Sequence, residues 1–502
     1  MSFSHHGGPV RAEAVADSFE PARSAAEAVD RLSALYTRAV EALRSALKIY
    51  LDGGPPPSGS ARAAGMFAYP ELRITYLPDG PVPPLSRAYG KFSESGIYTQ
   101  TVTHPELFRE YLTEQISLLQ GEYDVLVETG VSTQEIPFSY VLDGAQELDM
   151  DGAAPAELVR HFPYADLSQI DDALPNGERP SLPRQPRPLS LFDGARTDYS
   201  LQRIRHYTGT PFEDVQGFIL FTNYHRYVDA FVAWAAEQLK ADGPYESLSA
   251  AGFVHVDANT DDPVSVVESA PWRRFQMPAY HLKAPGRRGI TLVNIGVGPS
   301  NAKNITDHLA VLRPECWLMI GHCGGLRHSQ RLGDYVLAHA YLRYDAVLDR
   351  DLPVEIPIPA IAEIQIALQD AVKRVSGDKG EALKRRLRTG TVVTHADRNW
   401  ELRYLQEARR INQSRSIAVD MESATIAANG FRLRVPYGTL LCVSDKPLHG
   451  ELKLPGAANR FYNKAVSEHL MAGIETIEIL KAAGSEALHS RKLRSFDEPP
   501  FR

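Results

Sequence analysis

An acid and a base follow an apolar run in "YGTLLCVSDKP", residues 437–447. Asp445 and Lys446 stand directly after six mostly apolar residues, 439–444. A carboxyl group at the end of a buried strand can act as a proton donor if burial raises its pKa enough. It can equally well cap the following turn or pair with Lys446. The pattern therefore selects Asp445 for chemistry and leaves its role open.

Other chemically competent side chains also stand where apolar runs end. They occur in "FTNYHR" (Asn223, His225, Arg226), "GVGPSNAKN" (Ser300), "GHCGG" (His322), "THADRNW" (Asp397, Asn399, Trp400) and "DMES" (Asp420, Met421, Glu422). No single one of these loops is specific. Because ligands of open α/β sheets bind beyond the carboxyl ends of the strands, the six loops together predict one site.

The elements that must position these loops are short strands separated by helical patterns. The apolar runs are "GFILF", "GITLVNIGVG", "CWLMIGHCGG", "GTVVTH", "SIAVDME" and "YGTLLCVSD". Near-continuous apolar strands that alternate with helices are typical of a sheet covered on both faces. We predict an α/β fold with a mainly parallel, twisted sheet flanked by helices.

A proline-rich segment separates this region from the N-terminal part. Five prolines stand between Pro175 and Pro188, which disfavours both helix and central strand. We predict an N-terminal domain at 1–174, a linker at 175–200 and a catalytic domain at 201–502. The smaller first domain has an α+β or α/β pattern, which includes an amphipathic helix from about residue 29 to 50, and we expect a regulatory role for it.

Composition bounds the class of protein. The 502 residues are 43% hydrophobic and 23% charged, as in ordinary globular proteins, and the net charge of −8 argues against a nucleic-acid polymer as partner. No apolar stretch is long enough to span a membrane or act as a signal peptide. Cys316, Cys323 and Cys442 lack metal-ligand spacing and indicate a reducing compartment. We expect a cytoplasmic protein that needs no metal or redox cofactor for its chemistry.

Several motifs resemble the nucleoside phosphorylases and nucleosidases, which cleave N-glycosidic bonds. "NIGVGPSNAKNITDHL" with "IGHCGGL" resembles the Gly-rich turn, helix and strand end of that family, "VDMESATIA" its ribose clamp, and "VSDKP" its purine site. "RVPYGTLLCVSDKPLHGELKLPG", the tail "LHSRKLRSFDEPPFR" and the length of the leading domain resemble the bacterial branch that hydrolyses AMP to adenine and ribose 5-phosphate.

The resemblance implies roles for individual residues. Asp445 would protonate the purine leaving group at N7, and Glu422 would hold the ribose hydroxyls beside the developing cation. Met421 would pack against the sugar or base, and Trp400 would stack on the purine. Asn399 stands where one branch of the family has an aromatic residue, and it could read the purine edge instead.

Water is favoured over phosphate as the acceptor of the ribosyl group. The phosphorylases of the family hold inorganic phosphate with an Arg ahead of the Gly in "GHCG" and a Ser or Thr after it. This chain has Met319 and His322 at those positions, and methionine offers no anion clamp. The turn that contains Ser300 is also one residue shorter than the phosphorylase pattern.

Other roles stay open at the level of the sequence. Arg226 and Lys446 are the main candidates to bind the 5′-phosphate, with Arg205, Arg273, Arg274 and Arg460 as further candidates. His225, His322 or Asp229 could activate water. The resemblance also implies a homohexamer, activation by ATP with magnesium, and inhibition by phosphate. The alternatives are a purine nucleoside phosphorylase and a nucleotide sensor without turnover.

Overall fold

The computed structural model describes residues 18–142, 155–178, 186–451, 458–488, 490–495 and 498–502. The chain forms two compact units, Met1–Gln202 with Ser495–Arg502, and Arg203–Arg494. The predicted linker at 175–200 includes a short strand, Arg187–Pro188, and the beginning of a helix, Gly194–Thr208. Its residues 179–185 lie outside the described part, and the domain limits placed around it stay predictions.

The first unit contains a five-stranded sheet and a long helix. In the order β1-β4-β2-β3-β5, neighbouring strands are antiparallel except for β3 and β5. Its strands are β1 Glu20–Pro21, β2 Ala68–Tyr76, β3 Gly96–Thr101, β4 Leu126–Glu135 and β5 Arg187–Pro188. Its helices are α1 Ala25–Leu51, α2 Gly59–Ala63, α3 Arg109–Glu122, α4 Phe138–Leu142 and α5 Pro155–His161, and α6 Gly194–Thr208 continues into the second unit.

Helix α1 forms as its apolar stripe predicts. Ser24 caps its first turn by accepting a hydrogen bond from the backbone N–H of Glu27 at 3.2 Å. Leu32, Leu43 and Leu47 are fully buried, and the helix packs on β2 and β4. This stripe is therefore part of the core of the first unit.

The second unit is built on a ten-stranded sheet. Its order is β14-β13-β12-β15-β11-β6-β10-β9-β7-β8. The strands are β6 Phe218–Thr222, β7 Ser247–Ala250, β8 Val254–Asp257, β9 Ala279–Lys283, β10 Ile290–Asn294, β11 Cys316–Gly325, β12 Tyr335–Tyr344, β13 Leu387–His395, β14 Ala418–Asp420 and β15 Tyr437–Asp445. Every residue of β6 and β11 is buried, as expected for strands covered on both faces.

The middle of this sheet is parallel and its outer parts are mixed. Strands β15, β11, β6 and β10 run parallel, while β9, β7 and β8 continue antiparallel on one side and β12 is antiparallel to β15 on the other. The α/β prediction is confirmed, and the sheet is mixed where we expected it to be mainly parallel. Strand β12 was absent from the predicted runs, although its first four residues, 335–338, are apolar and buried; its remaining residues are mostly partly exposed.

Strand β14 closes part of the sheet on itself. It is parallel to β13 on one side and antiparallel to the end of β11 on the other, where Val419 faces Gly324. A Cβ on Gly324 would lie 3.1 Å from a methyl carbon of Val419, so the close approach favours glycine. This closure returns the chain after β14 to the carboxyl end of β11.

Helices surround this sheet in two packed groups. One comprises α7 His225–Lys240, α10 Ala362–Ser376 and α14 Ala458–Ala483, and the other α9 Pro299–Leu309 and α13 Ser423–Leu433. The remaining helices are α8 Pro263–Ser269, α11 Gly380–Arg386, α12 Tyr404–Ser414 and α15 Ser485–Leu488. Within the described ranges, the model contains no helix with the length and apolar character needed to cross a bilayer.

Candidate active site

The carboxyl ends of four parallel strands meet at one edge of the sheet. The register places Phe221 of β6 beside Met319 of β11 and Asn294 of β10 beside Thr222 of β6. Asp445, the last residue of β15, pairs with Gly324. The loops that the sequence selected after these strands therefore lie at a common edge.

Glu422 is held at this edge by two other loops. Its Oε2 accepts a hydrogen bond from the side-chain amide of Asn223 at 3.0 Å, and its Oε1 accepts one from the backbone N–H of Gly298 at 2.7 Å. Asn223 follows β6, and Gly298 lies in the Gly-rich turn that precedes α9. Each carboxylate oxygen keeps a further lone pair, so Glu422 can also accept hydrogen bonds from hydroxyl groups.

The surroundings of Glu422 favour its protonated form in the unliganded protein. Burial, and secondarily the charge of Asp420, raises the pKa of Glu422 to about 8. Burial also raises the pKa of Asp420, although hydrogen bonds from Ser423 and Thr394 oppose this effect. Asp420 fastens the start of α13, because its Oδ2 accepts the backbone N–H of Ser423 at 2.8 Å.

Asp445 lies at an irregularity of its strand. The register between β11 and β15 shifts after Cys323, so that Ser444 is an extra residue before Asp445. Such bulges re-aim the side chains that follow them. The Ser444 hydroxyl donates to Oδ1 of Asp445 at 2.6 Å, and Asp445 is half-buried. This carboxyl group thus stands at the sheet edge with one oxygen positioned by its neighbour.

Lys446 is already engaged by an acid. Its ammonium group lies 2.6 Å from Oε1 of Glu451, and the backbones of the two residues form an isolated bridge. The Lys446 side chain is buried, whereas that of Glu451 is 46% exposed. Its proposed contact with a 5′-phosphate stays a prediction, and Glu451 would compete with that phosphate.

His322 and Met319 occupy the strand that carries the anion clamp in phosphorylases. Met319 is fully buried in β11, and no guanidinium replaces it at this position. His322 is buried near the end of the strand, where the ring of Tyr224 packs edge-on against it at a centroid distance of 4.8 Å. The strand position at which the resemblance predicts an anion clamp in phosphorylases thus carries an apolar side chain and an imidazole in this chain.

The predicted purine-contacting residues have different surroundings. Trp400 is buried in an apolar cluster with Leu326, Val393, Ile411 and Val419. Asn399 is exposed, and its backbone N–H donates to Asp397. Met421 is partly buried between Asp420 and Glu422. Contact of these residues with a base stays a prediction.

The remaining candidates lie on several helices. Arg205 lies in the last turn of α6, and Arg273 and Arg274 lie in a short 3-10 helix, Trp272–Arg274. Arg226 is partly exposed in the first turn of α7, and Ser300 is exposed in the first turn of α9. Arg460 belongs to the part of α14 whose side chains are not described. Their contacts with a phosphate stay predictions.

Residue-level reading of the sequence missed the partners of Glu422. Asn223 was noted only as a polar residue after a buried strand, and Gly298 only as part of a Gly-rich turn. The Oδ1 atom of Asn223 is buried and has no hydrogen-bond partner among the described residues. An amide that is fixed at one end and has an unused acceptor at the other is suited to bind a ligand hydroxyl. Within the described ranges, no cluster of three His, Cys, Asp or Glu side chains is arranged to hold a metal.

Comparison with known families agrees with this fold. Residues 262–475 match the model described as "Phosphorylase superfamily", and residues 27–186 match "Bacterial AMP nucleoside phosphorylase N-terminus". The second unit thus has the fold of the phosphorylase superfamily. The chain is 58% identical over 478 residues to "AMP nucleosidase" of Escherichia coli (strain K12), which covers 95% of this chain and 98% of that protein. The chain belongs to the AMP nucleosidase family.

Solved structures show more distant similarity. An AMP nucleosidase from Bacteroides thetaiotaomicron VPI-5482 is 26% identical, with a TM-score of 0.42, and covers 57% of this chain and 99% of that one. A purine nucleoside phosphorylase from Toxoplasma gondii in complex with immucillin-H is 16% identical, with a TM-score of 0.38, and covers 54% of this chain and 94% of that one.

Proposed function

We propose that this protein hydrolyses the N-glycosidic bond of AMP and releases adenine and ribose 5-phosphate. The observation that carries the proposal is the pair of carboxyl groups at one sheet edge, Glu422 held by two N–H donors and Asp445 at the end of β15. The relatives that share almost the whole chain are named for this activity.

The two carboxyl groups divide the work of the reaction. In its ionised form, Glu422 accepts the 2′ and 3′ hydroxyls of the ribose and stabilises the positive charge that develops on the sugar. The bond between C1′ and N9 breaks, and its electron pair leaves with adenine. Asp445 gives a proton to N7 and so neutralises the leaving group. The oxygen of a water molecule bonds to C1′, and this water loses one of its two protons.

The remaining groups complete the substrate site. Trp400 and Met421 line the purine and sugar, Asn399 reads the base, and Arg226, Lys446 and Ser300 contribute to binding of the phosphate-bearing sugar. Water is the acceptor because Met319 supplies no cation to hold inorganic phosphate. Trp400 is the least exposed of these groups and would need only one accessible face to stack on adenine.

We also propose a homohexamer in the cytoplasm that is activated by ATP with magnesium and needs no cofactor for the chemical step. The cytoplasmic location is supported by Cys316, Cys323 and Cys442, which are buried thiols without a disulfide.

Product analysis tests the proposed reaction. The full-length protein is incubated with AMP or adenosine, each with and without phosphate, and the sugar product is identified. We expect ribose 5-phosphate from AMP in the absence of phosphate. Formation of ribose 1-phosphate from adenosine would instead identify a phosphorylase, and absence of any product would identify a nucleotide sensor.

A further inference from the structure

Three buried side chains from three elements form a hydrogen-bonded chain behind the sheet edge. Nε2 of His322 on β11 lies 3.4 Å from the hydroxyl of Tyr227 on α7, and this hydroxyl lies 2.7 Å from Nδ1 of His469 on α14. Nε2 of His469 lies 3.0 Å from the carbonyl oxygen of Leu440. Tyr227 and His469 are fully buried, and His322 is 5% exposed.

The carbonyl group at one end fixes the direction of the whole chain. A carbonyl oxygen can only accept, so Nε2 of His469 carries a hydrogen and donates it to Leu440. Burial lowers the pKa of His469 to about 3, so its ring is neutral and Nδ1 has a lone pair. The Tyr227 hydroxyl therefore donates to Nδ1 of His469.

The same logic sets the tautomer of His322. The single hydrogen of the Tyr227 hydroxyl is used towards His469, so its oxygen can only accept from Nε2–H of His322. A neutral His322 then has its lone pair on Nδ1. Packing adds rigidity, because Tyr335 stacks on His469 at 5.3 Å and Tyr224 meets His322 edge-on.

His322 adjoins the group that holds the ribose-binding carboxylate. The ring of Tyr224, the residue after Asn223, packs edge-on against the imidazole of His322 at a centroid distance of 4.8 Å. Asn223 in turn donates to Glu422. The imidazole therefore stands beside the loop that supports Glu422.

The two other candidates for activating water have less suitable surroundings. The His225 ring stacks on Trp272 at 4.1 Å, and its Nε2 lies 3.3 Å from Asp229. The Asp229 side chain is 55% exposed. Both groups lie on the partly exposed side of α7, while His322 stands on a buried strand.

We propose that Tyr227 and His469 are positioning residues that hold His322 with hydrogen on Nε2, so that Nδ1 takes a proton from the attacking water. This inference rests on the proposed hydrolysis of AMP. Oxygen of the water bonds to C1′ and one of its O–H bonds breaks, with the proton passing to Nδ1. The C1′–N9 electron pair leaves with adenine, which receives its proton from Asp445. The imidazolium of His322 then releases its proton to solvent.

A matched pair of substitutions at His469 tests the chain. Gln can donate to Leu440 and accept from Tyr227, whereas Leu can do neither. We expect His469→Gln to keep kcat for AMP within about threefold, and His469→Leu and Tyr227→Phe to lower it about tenfold or more with little change in KM. Tyr437→Phe, which removes a buried hydroxyl bonded to Pro359 at 2.5 Å at the opposite end of β15, is the control for loss of a buried tyrosine hydroxyl.

Chemical rescue separates catalysis by His322 from a structural effect. His322→Gly should lose most of its kcat and regain rate as imidazole is added, while thermal unfolding checks that each variant is folded. Full kcat in Tyr227→Phe, equal losses in the two His469 variants, or no response to imidazole would each overturn the proposal. If the unmodified protein forms no ribose 5-phosphate from AMP, the proposed function itself fails; if it does, these outcomes reject only the role of the chain.

Discussion

At the scale of the residue, two carboxyl groups at one sheet edge have different surroundings. Glu422 is buried beside Asp420 and accepts two N–H donors, so its pKa is raised to about 8. Asp445 is half-buried and accepts the hydroxyl of Ser444. The two chemically similar acids therefore have different surroundings at the same sheet edge.

Asp445→Asn removes the proton that the proposed mechanism delivers to adenine. We expect kcat for AMP to fall about 100-fold or more while KM changes by no more than about threefold, because the proton is transferred in the transition state. Steady-state kinetics measure both constants. Ser444→Ala, which removes only the neighbouring hydroxyl, should have a smaller effect. Equal losses in turnover and binding would show that Asp445 is a binding or folding residue.

Glu422 makes stability depend on pH. Its pKa is raised from 4.5 to about 8, so the folded protein binds more protons than the unfolded chain between these values. The contribution of Glu422 to the free energy of unfolding is therefore fully present below about pH 4.5 and is lost as the pH rises towards 8. We expect the melting temperature of Glu422→Gln, relative to the unmodified protein, to rise by several degrees from pH 5 to pH 9. A constant difference between the two proteins across this range would contradict the assignment.

At the scale of the element, the site depends on strands that approach closely. A Cβ on Gly321 would lie 2.6 Å from the terminal methyl carbon of Met319 and 3.2 Å from Oδ1 of Asn223. The methionine chain can move, but Asn223 is held by its bond to Glu422. The end of β11 therefore lies close to Asn223, which donates to Glu422.

Gly321→Ala tests this coupling between strand and site. The added methyl group should displace Asn223 and lower kcat/KM for AMP about tenfold, with a loss of stability of about 1–3 kcal/mol from overpacking. Kinetics and denaturant unfolding measure the two effects. Gly121→Ala is the matched control, since this glycine lies in α3 with open space around its Cβ position, and it should be neutral or slightly stabilising. Unchanged kinetics in Gly321→Ala would show that Asn223 tolerates the approach.

At the scale of the whole molecule, the chain consists of two compact units, and the second unit, Arg203–Arg494, carries the predicted site residues. The first unit includes the residues that match the N-terminal family model and contains none of the predicted catalytic or substrate-binding residues. This arrangement is compatible with a regulatory role for the first unit.

Magnesium with ATP should therefore change the kinetics of the full-length protein. At AMP concentrations below KM, we expect the rate to rise several-fold on addition of the magnesium–ATP complex, with little change at saturating AMP. Light scattering should give a mass of six times the 55.5 kDa chain. A rate that does not respond to ATP would argue against regulation, and a monomer in solution would reject the hexamer.

Much of the fold follows from local patterns. The six apolar runs predicted after residue 200 all contain strands, because short buried strands are rich in apolar residues whatever their partners. The order of the strands in the sheet could not be predicted from these local patterns. The antiparallel pairing of β14 with Gly324 and the position of β12 depend on contacts between distant segments, for which a strand's own sequence has no periodic signal.

For this protein, the sequence by itself determined which residue types stand at or near the ends of buried strands, including Asp445, Glu422 and His322, since polar residues near the ends of apolar runs are a local feature. Only the tertiary structure decided what holds them. Glu422 meets donors 199 and 124 residues away, and Tyr227 meets His469 across 242 residues. Such pairs form when packing brings separate elements together, and the orientation of each hydrogen bond is fixed only after both partners are buried.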